Sequence, residues 1–267
     1  MQQCILLSHV YIRDREQDKI DKVEFALKHW RKYNPDAYIV VTGHGVQPDI
    51  RKYCDHIIWP EQIIQKDINV GHPHLVSLGL EYIEQKGFEY VLKSRCDTVH
   101  NIKNIFVFAH QQLKDKKMIV TQSTSLIQQA LGDLFLFSTV SLMKTIFNVD
   151  NWYPTKTGLT SLANNFLAQC DQPIWKDACI QNLKLIDICK LKWIDLRSNW
   201  ETLKNFREDI MNATLESPQK YYWGVKENWH VWNDKNECIH KLPHVCLLYT
   251  SDAADEGLGV DLGGRRI

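Results

Sequence analysis

The sequence predicts an α/β fold in which a mostly parallel central sheet is flanked by helices and followed by a small irregular C-terminal extension. Three observations carry this. Short apolar runs alternate with stretches of helical period through the first ~150 residues, the pattern of βαβ units. The runs are continuously apolar, as strands buried on both faces require. Polar and charged residues gather directly after the runs, where open parallel sheets bind ligands.

The elements follow in order. CILLSHVY is a buried strand. Asp14 with Gln17 three positions later has the form of a capping box, and Ile20, Val23, Leu27 and Trp30 continue a helix that Asn34-Pro35 stops. AYIVVTGHG and HIIWP are the next strands. Pro73 suits the first turn of a helix whose apolar stripe is Leu75, Leu78 and Tyr82, with Gly87 as its C-cap. EYVLKSRCD is a strand expected to run to Asp97. A helix near Ile102 to Leu113 precedes the strand MIVTQS, and LFLFS is a strand after Gly132-Asp133. Val140, Met143 and Phe147 mark one further helix, and Leu159, Leu162, Ala163, Phe166 and Leu167 another. LKLIDICKLKWIDL reads as one or two strands or a helix edge.

The expected organisation is a ligand-binding unit over 1–195, an acceptor-side extension over 196–245, and a tail over 246–267. That tail, CLLYTSDAADEGLGVDLGGRRI, shows neither period and resembles a translated sequencing adapter. It is read as non-native, which implies that the extension is truncated. Charge is balanced, with 32 Lys and Arg against 32 Asp and Glu. The tail removes four acids (Asp252, Asp255, Glu256, Asp261) against Arg265 and Arg266, leaving too slight a basic excess to point to nucleic acid. No run approaches the ~18 apolar residues of a membrane span. The scattered cysteines form no C-x-x-C pair, which fits reduced thiols and a cytoplasmic location rather than a zinc ribbon.

Several site classes are excluded by what the strand ends lack. No glycine-rich turn follows the first strand, against a dehydrogenase or methyltransferase. No P-loop and no G-x-S-x-G appears. What the strand ends offer is Lys93-Ser94-Arg95-Cys96-Asp97. Side chains alternate along a strand, so a strand reaching Asp97 would put Lys93, Arg95 and Asp97 on one face. A guanidinium there can grip a phosphate in two-point fashion, and a carboxylate can hold a divalent metal that bridges a diphosphate.

CILLSHVY, KSRCD and GDLFLF together resemble the GT-A-fold (Rossmann-like) glycosyltransferases, closest to the WavE-type lipopolysaccharide biosynthesis family, over roughly residues 3–170. The resemblance implies a sugar transferred from a nucleotide-diphosphate donor to a hydroxyl of a surface glycan of lipopolysaccharide or capsule type. It places Ser8, His9 and Arg13 near the base and ribose, and His72 and His74 facing the donor. It puts Lys93, Arg95 and Asp97 at the diphosphate, and gives Asp97 a divalent metal, Mn or Mg, or a sugar hydroxyl. Asp133 becomes the candidate general base. In the wider fold the strand end is D-x-D; here Arg95 replaces the first acid, so an arginine could take over part of a metal's work. The implied setting is cytoplasmic, at the inner face of a membrane, with peripheral association and no transmembrane segment.

Plainer readings stand beside these. Arg95 and Asp97 could form a simple ion pair, His72 and His74 could cap a helix, Arg13 could be a solvated charge, and Asp133 a turn residue. The aromatic cluster from Tyr221 to Trp232 could stack on sugars or be core. The rival functions are a sugar nucleotidyltransferase, which would want a glycine-rich loop that HVYIRDRE lacks, and a non-catalytic GT-A-like binding or scaffold module.

Overall fold

The computed structural model describes residues 3–63, 71–100, 102–121, 129, 131–151, 158–186, 193–196, 229–232 and 238–242. Apolar runs become the strands β1 (Gln3–Ile12), β2 (Tyr38–Gly45), β3 (His56–Ile58), β4 (Tyr90–Arg95), β6 (Met118–Thr121), β7 (Phe135–Thr139) and β8 (Leu183–Ile186). They build one seven-stranded sheet in the order β3-β2-β1-β4-β7-β6-β8. The pairs β1–β2, β1–β4, β2–β3 and β6–β8 are parallel. β7 runs antiparallel to both β4 and β6. The sheet is therefore mostly parallel, as expected, but with one strand reversed. An apolar run reports burial, not direction, and so could not show this.

Helices cover both faces. Alternation along β1 sends Ile5 and Leu7 to one face, where Val23, Leu27 and Trp30 of α1 (Gln17–Tyr33) and Ile105 and Ala109 of α3 (Ile105–Leu113) meet them. Cys4 and Leu6 go to the other face, under Val76, Leu80 and Ile83 of α2 (Gly71–Gln85). That layer also holds α4 (Val140–Ile146), α5 (Gly158–Leu167) and α6 (Trp175–Asn182) through Met143, Phe166 and Trp175. Each fully buried Leu, Ile or Phe contributes about 1.5–3 kcal/mol. α2 lies close on the sheet because Gly79 has no side chain: a Cβ there would run into Leu6 and Thr42.

The helix ends test the sequence reading. Gly87 does close α2, at φ +78°, with Phe88 N–H donating to Ile83 O at 3.2 Å in a Schellman-type stop. Asp14 does not cap α1. The helix starts at Gln17 after Arg15 takes φ +70°, and Glu16 instead accepts from the Arg13 N–H at 2.7 Å. Gln17 turns forward to Asp21 rather than back to a cap. α3 starts at Ile105, three residues later than expected, because Asn104 adopts the left-handed region and Asn34 Oδ1 accepts from Ile105 N–H at 2.9 Å.

Two short strands form a pair that the sequence pattern does not announce. β5 (Thr98–His100) follows β4 after a two-residue turn and pairs antiparallel with β9 (Trp193–Asp195). LKLIDICKLKWIDL thus supplies two strands, β8 to the large sheet and β9 to β5. α6 is likewise absent from the sequence reading. β10 (Trp229–Trp232) and β11 (Cys238–Leu242) form an antiparallel pair. The tail 246–267 and most of the expected extension lie outside the described residues. No helix among the described residues is long and apolar enough to cross a membrane.

Candidate functional site

From β1 the chain moves outward to β2 and β3, then returns to place β4 on β1's other side. The C-terminal ends of two strands at such a reversal are the usual ligand position in open α/β sheets. The register pairs Leu6 with Lys93, Leu7 with Ser94 and Ser8 with Arg95. Lys93 and Arg95 therefore share the α2 face with Ser8. On β4's other side Ser94 pairs with Phe135, so the antiparallel β7 delivers the preceding Asp133 to this same end.

Lys93 is fully buried. Its Nζ donates to the Asp133 backbone O at 2.5 Å and to Asp133 Oδ2 at 3.2 Å. His72, in the first turn of α2, brings Nε2 to 3.4 Å from the same Oδ2. Phe147 closes the group, edge-on to His72 and 5.7 Å from the Lys93 ammonium. Burial alone would raise the Asp133 carboxyl, but the charges of Lys93 and Arg95, joined by His72 once it is protonated, outweigh it and hold the group below the ordinary carboxylate range. Burial, reinforced by Lys93 and only partly offset by Asp133, lowers His72 to about 3. His72 is thus a neutral imidazole at pH 7. Burial also lowers Lys93, with Asp133 opposing.

Arg95 and Asp97 form a second pair. Nε donates to Oδ1 and a terminal guanidinium nitrogen to Oδ2, both at 2.9 Å. The side chains are only 7% and 17% exposed, so this is not the solvated pair of the plain reading. The expectation that three alternating residues share a face is corrected: β4 ends at Arg95, the chain turns at Cys96-Asp97, and Asp97 reaches back to Arg95 from the turn. The cause is β5, which claims Thr98 for a different sheet.

Hydroxyl, imidazole and carbonyl groups meet on the α1 face of the same strand end. Ser94 Oγ donates to Leu134 O at 3.0 Å and lies 3.2 Å from Thr98 Oγ1 and 3.3 Å from His100 Nε2. Trp30 Nε1 donates to Thr98 O at 2.9 Å, and the His100 ring sits edge-on to Trp30 and Phe135. Thr98 Oγ1 donates to Arg95 O, and Leu196 N–H to Asp97 O. The backbone on both sides of the Arg95–Asp97 pair is therefore pinned.

The remaining expected residues divide. Ser8 is fully buried and its Oγ has no hydrogen-bond partner among the described residues. His9 lies within β1, but its side chain falls outside what is described. Arg13 stands beyond β1, exposed, its guanidinium 5.6 Å from the centre of the Tyr11 ring. Tyr11 is 47% exposed and stacks on His44 at the end of β2, 5.4 Å between centroids. His74 is half-buried, its pKa lowered by burial with Glu81 opposing. Two positions on from His72, it points to another side of α2. Sequence reasoning missed Tyr11, His44 and the Trp30–Ser94–Thr98–His100 network. The signal for the last was present, since Thr98 and His100 immediately follow the charged strand end.

A metal fits this arrangement poorly. Among the described residues no group of three or more His, Cys, Asp or Glu could hold an ion. Both Asp97 oxygens are engaged by Arg95. A shallow depression of about 520 Å³ lies elsewhere, lined by Asn164, Leu167, Cys170 and Gln172 among others. It adjoins the start of β6, where Lys117 Nζ donates to Gln169 O, at the opposite end of the sheet.

No family model matches the chain, and no curated protein matches it. Among solved structures, the chain is similar to a protein described as a nucleotide-diphospho-sugar transferase of Desulfovibrio desulfuricans G20. That match has 7% identity and a TM-score of 0.43, over 69% of this chain and 79% of that one. It is also similar to a glycosyltransferase involved in glycosylation of the major capsid of PBCV-1. Here identity is 11% and the TM-score 0.45, over 79% of this chain and 100% of that one.

Proposed function

We propose that this chain is a GT-A-like glycosyltransferase that takes a nucleoside-diphosphate sugar and passes the sugar to a hydroxyl of a surface glycan, of lipopolysaccharide or capsule type. The single observation that carries this reading is the register that pairs Arg95 with Ser8 at the strand-order reversal. A planar guanidinium suits a phosphate through two parallel hydrogen bonds. In this reading the diphosphate meets Arg95 and Ser8, and the base lies on Tyr11, backed by His44, with Arg13 and His9 at its edge. His72 and His74 stand at the helix start that faces the donor, and the enzyme works at the cytoplasmic face of a membrane.

Catalysis would rest on holding donor and acceptor together and on positive charge at the departing diphosphate. Asp133 suits the general-base role poorly. A carboxylate held below its ordinary range by an adjacent ammonium is a weak base. It serves better as the anion that keeps Lys93 in the crevice wall. No step is assigned to a metal at Asp97.

A melting-temperature panel with UDP-, GDP- and CMP-sugars, with and without Mn²⁺, tests the reading. One diphosphate donor class should raise Tm, and long incubation should release its nucleoside diphosphate. Stabilisation by CMP-sugars alone, or by none of the panel, contradicts it. A non-catalytic GT-A-like module is favoured by one feature: the two cations of the crevice are each already paired with a carboxylate. A donor-induced rise in Tm with no turnover in any acceptor mixture would support that reading instead.

A further inference from the structure

The geometry points to Asp97 as an internal occupant of the diphosphate site: its carboxylate fills the Arg95 fork in the resting protein and is displaced when a pyrophosphate group arrives. This rests on the reading of Arg95 as a phosphate-binding residue and adds the control of that contact.

The two ion pairs of the crevice differ in what they tie together. Lys93 and Asp133 lie 40 positions apart, and their bonds fasten β4 to the approach of β7. Opening them would leave the fully buried Lys93 ammonium without its carboxylate. Arg95 and Asp97 are two positions apart on one turn. Their side chains can separate while the backbone stays fixed, because Thr98 Oγ1 holds Arg95 O and Leu196 N–H holds Asp97 O. The exchange moves side chains and leaves these backbone hydrogen bonds in place.

The contacts also match the ligand. Two oxygens of one planar carboxylate each accept one guanidinium bond at 2.9 Å. Two oxygens of a phosphate accept the same pair of bonds in the same fork. The neighbouring Ser8 hydroxyl, in register with Arg95 and buried without a partner among the described residues, supplies a further bond once the fork accepts phosphate. A buried pair strongly resists losing one partner, because a desolvated charge is left behind. Asp97 thus weakens ligand binding at rest. In the resting protein, the acid that resembles a metal ligand is held by an arginine.

Calorimetric titration of the full chain with inorganic pyrophosphate in EDTA tests the inference. Asp97→Asn should bind pyrophosphate about tenfold tighter than the wild type or better. Arg95→Lys, which keeps the charge but loses the fork, should bind more weakly. Asp97→Asn on the Arg95→Lys background should gain under about threefold, because the competitor and its fork act as a unit. An unchanged or weakened affinity in Asp97→Asn overturns the inference. So does a full gain in the double variant, which would reduce the effect to charge alone.

Should Asp97→Asn fail to fold, the wild type still answers. The arginine Nε–H resonance that Arg95→Lys removes should shift on pyrophosphate titration, and a resonance that stays put overturns the exchange. The transferase reading fails separately. A working Asp97–Arg95 exchange with no nucleotide sugar bound would contradict that reading alone, and sugar-nucleotide binding with no Asp97 effect would contradict the exchange alone.

Discussion

The two faces of one strand end differ sharply. On the α2 side of β4, Lys93 and Arg95 meet Asp133, Asp97 and His72 in a buried ionic group. On the α1 side, Ser94 meets Thr98, His100 and Leu134 in a hydroxyl–imidazole–carbonyl network anchored by Trp30. A network of hydroxyl, imidazole and carbonyl groups specifies position at little electrostatic risk, whereas buried charges are costly unless each has a partner. The difference separates two roles: one face fixes the turn, and the other gathers paired charge at the strand end.

The largest break of that contrast is within the ionic face. Lys93→Met or Asp133→Asn alone should destabilise the protein by about 3–5 kcal/mol, since each strands or weakens a buried charge. Denaturant midpoints measure it. A loss below about 1 kcal/mol would show that the pair does not tie β4 to β7.

Next comes pH. The folded protein keeps His72 neutral down to about pH 3, while the unfolded chain takes up that proton near the ordinary histidine value of 6.5. Between those values the unfolded state binds the proton first. Stability should therefore fall as pH drops, by up to about 1.4 kcal/mol per unit from this group. Below about pH 4, protonation of Asp133 in the unfolded chain adds to the fall, because its folded pKa is depressed. His72→Gln should flatten the slope between about pH 6 and 4; an unaltered slope would assign it to other groups.

The smallest effect belongs to the α1 face. Trp30→Phe removes the bond to Thr98 O and should cost about 1–3 kcal/mol through an unsatisfied carbonyl and lost packing. Because that network acts through the turn, pyrophosphate affinity should weaken too, with Arg95 and Asp97 untouched. Equal affinity in the variant would make the network a stability element only.

The sequence made the scaffold legible and the site only partly so. Continuous runs such as CILLSHVY and AYIVVTGHG identify β1 and β2, and Gly87 marks the end of α2 through a backbone angle that glycine favours. Lys93, Arg95 and Ser8 stand out because strand ends of α/β sheets carry ligands, and the register does place Ser8 beside Arg95. What cannot be read locally is anything that depends on a distant partner. Thr98 ends the alternation that would have carried Asp97 onto the Arg95 face, because it pairs with Asp195, 97 positions away. The reversal of β7 and the clamp of Lys93 on Asp133 are likewise long-range facts. The partner of a charge is set by topology, and local period holds no record of it.

In the proposed function Arg95 grips the donor's diphosphate. Calorimetric binding of the nucleoside-diphosphate sugar that raises Tm, compared between wild type and Arg95→Lys at matched salt, measures that grip. The lysine variant, folded with an unchanged far-ultraviolet spectrum, should lose about tenfold or more in affinity. Equal affinity in the two proteins would contradict it.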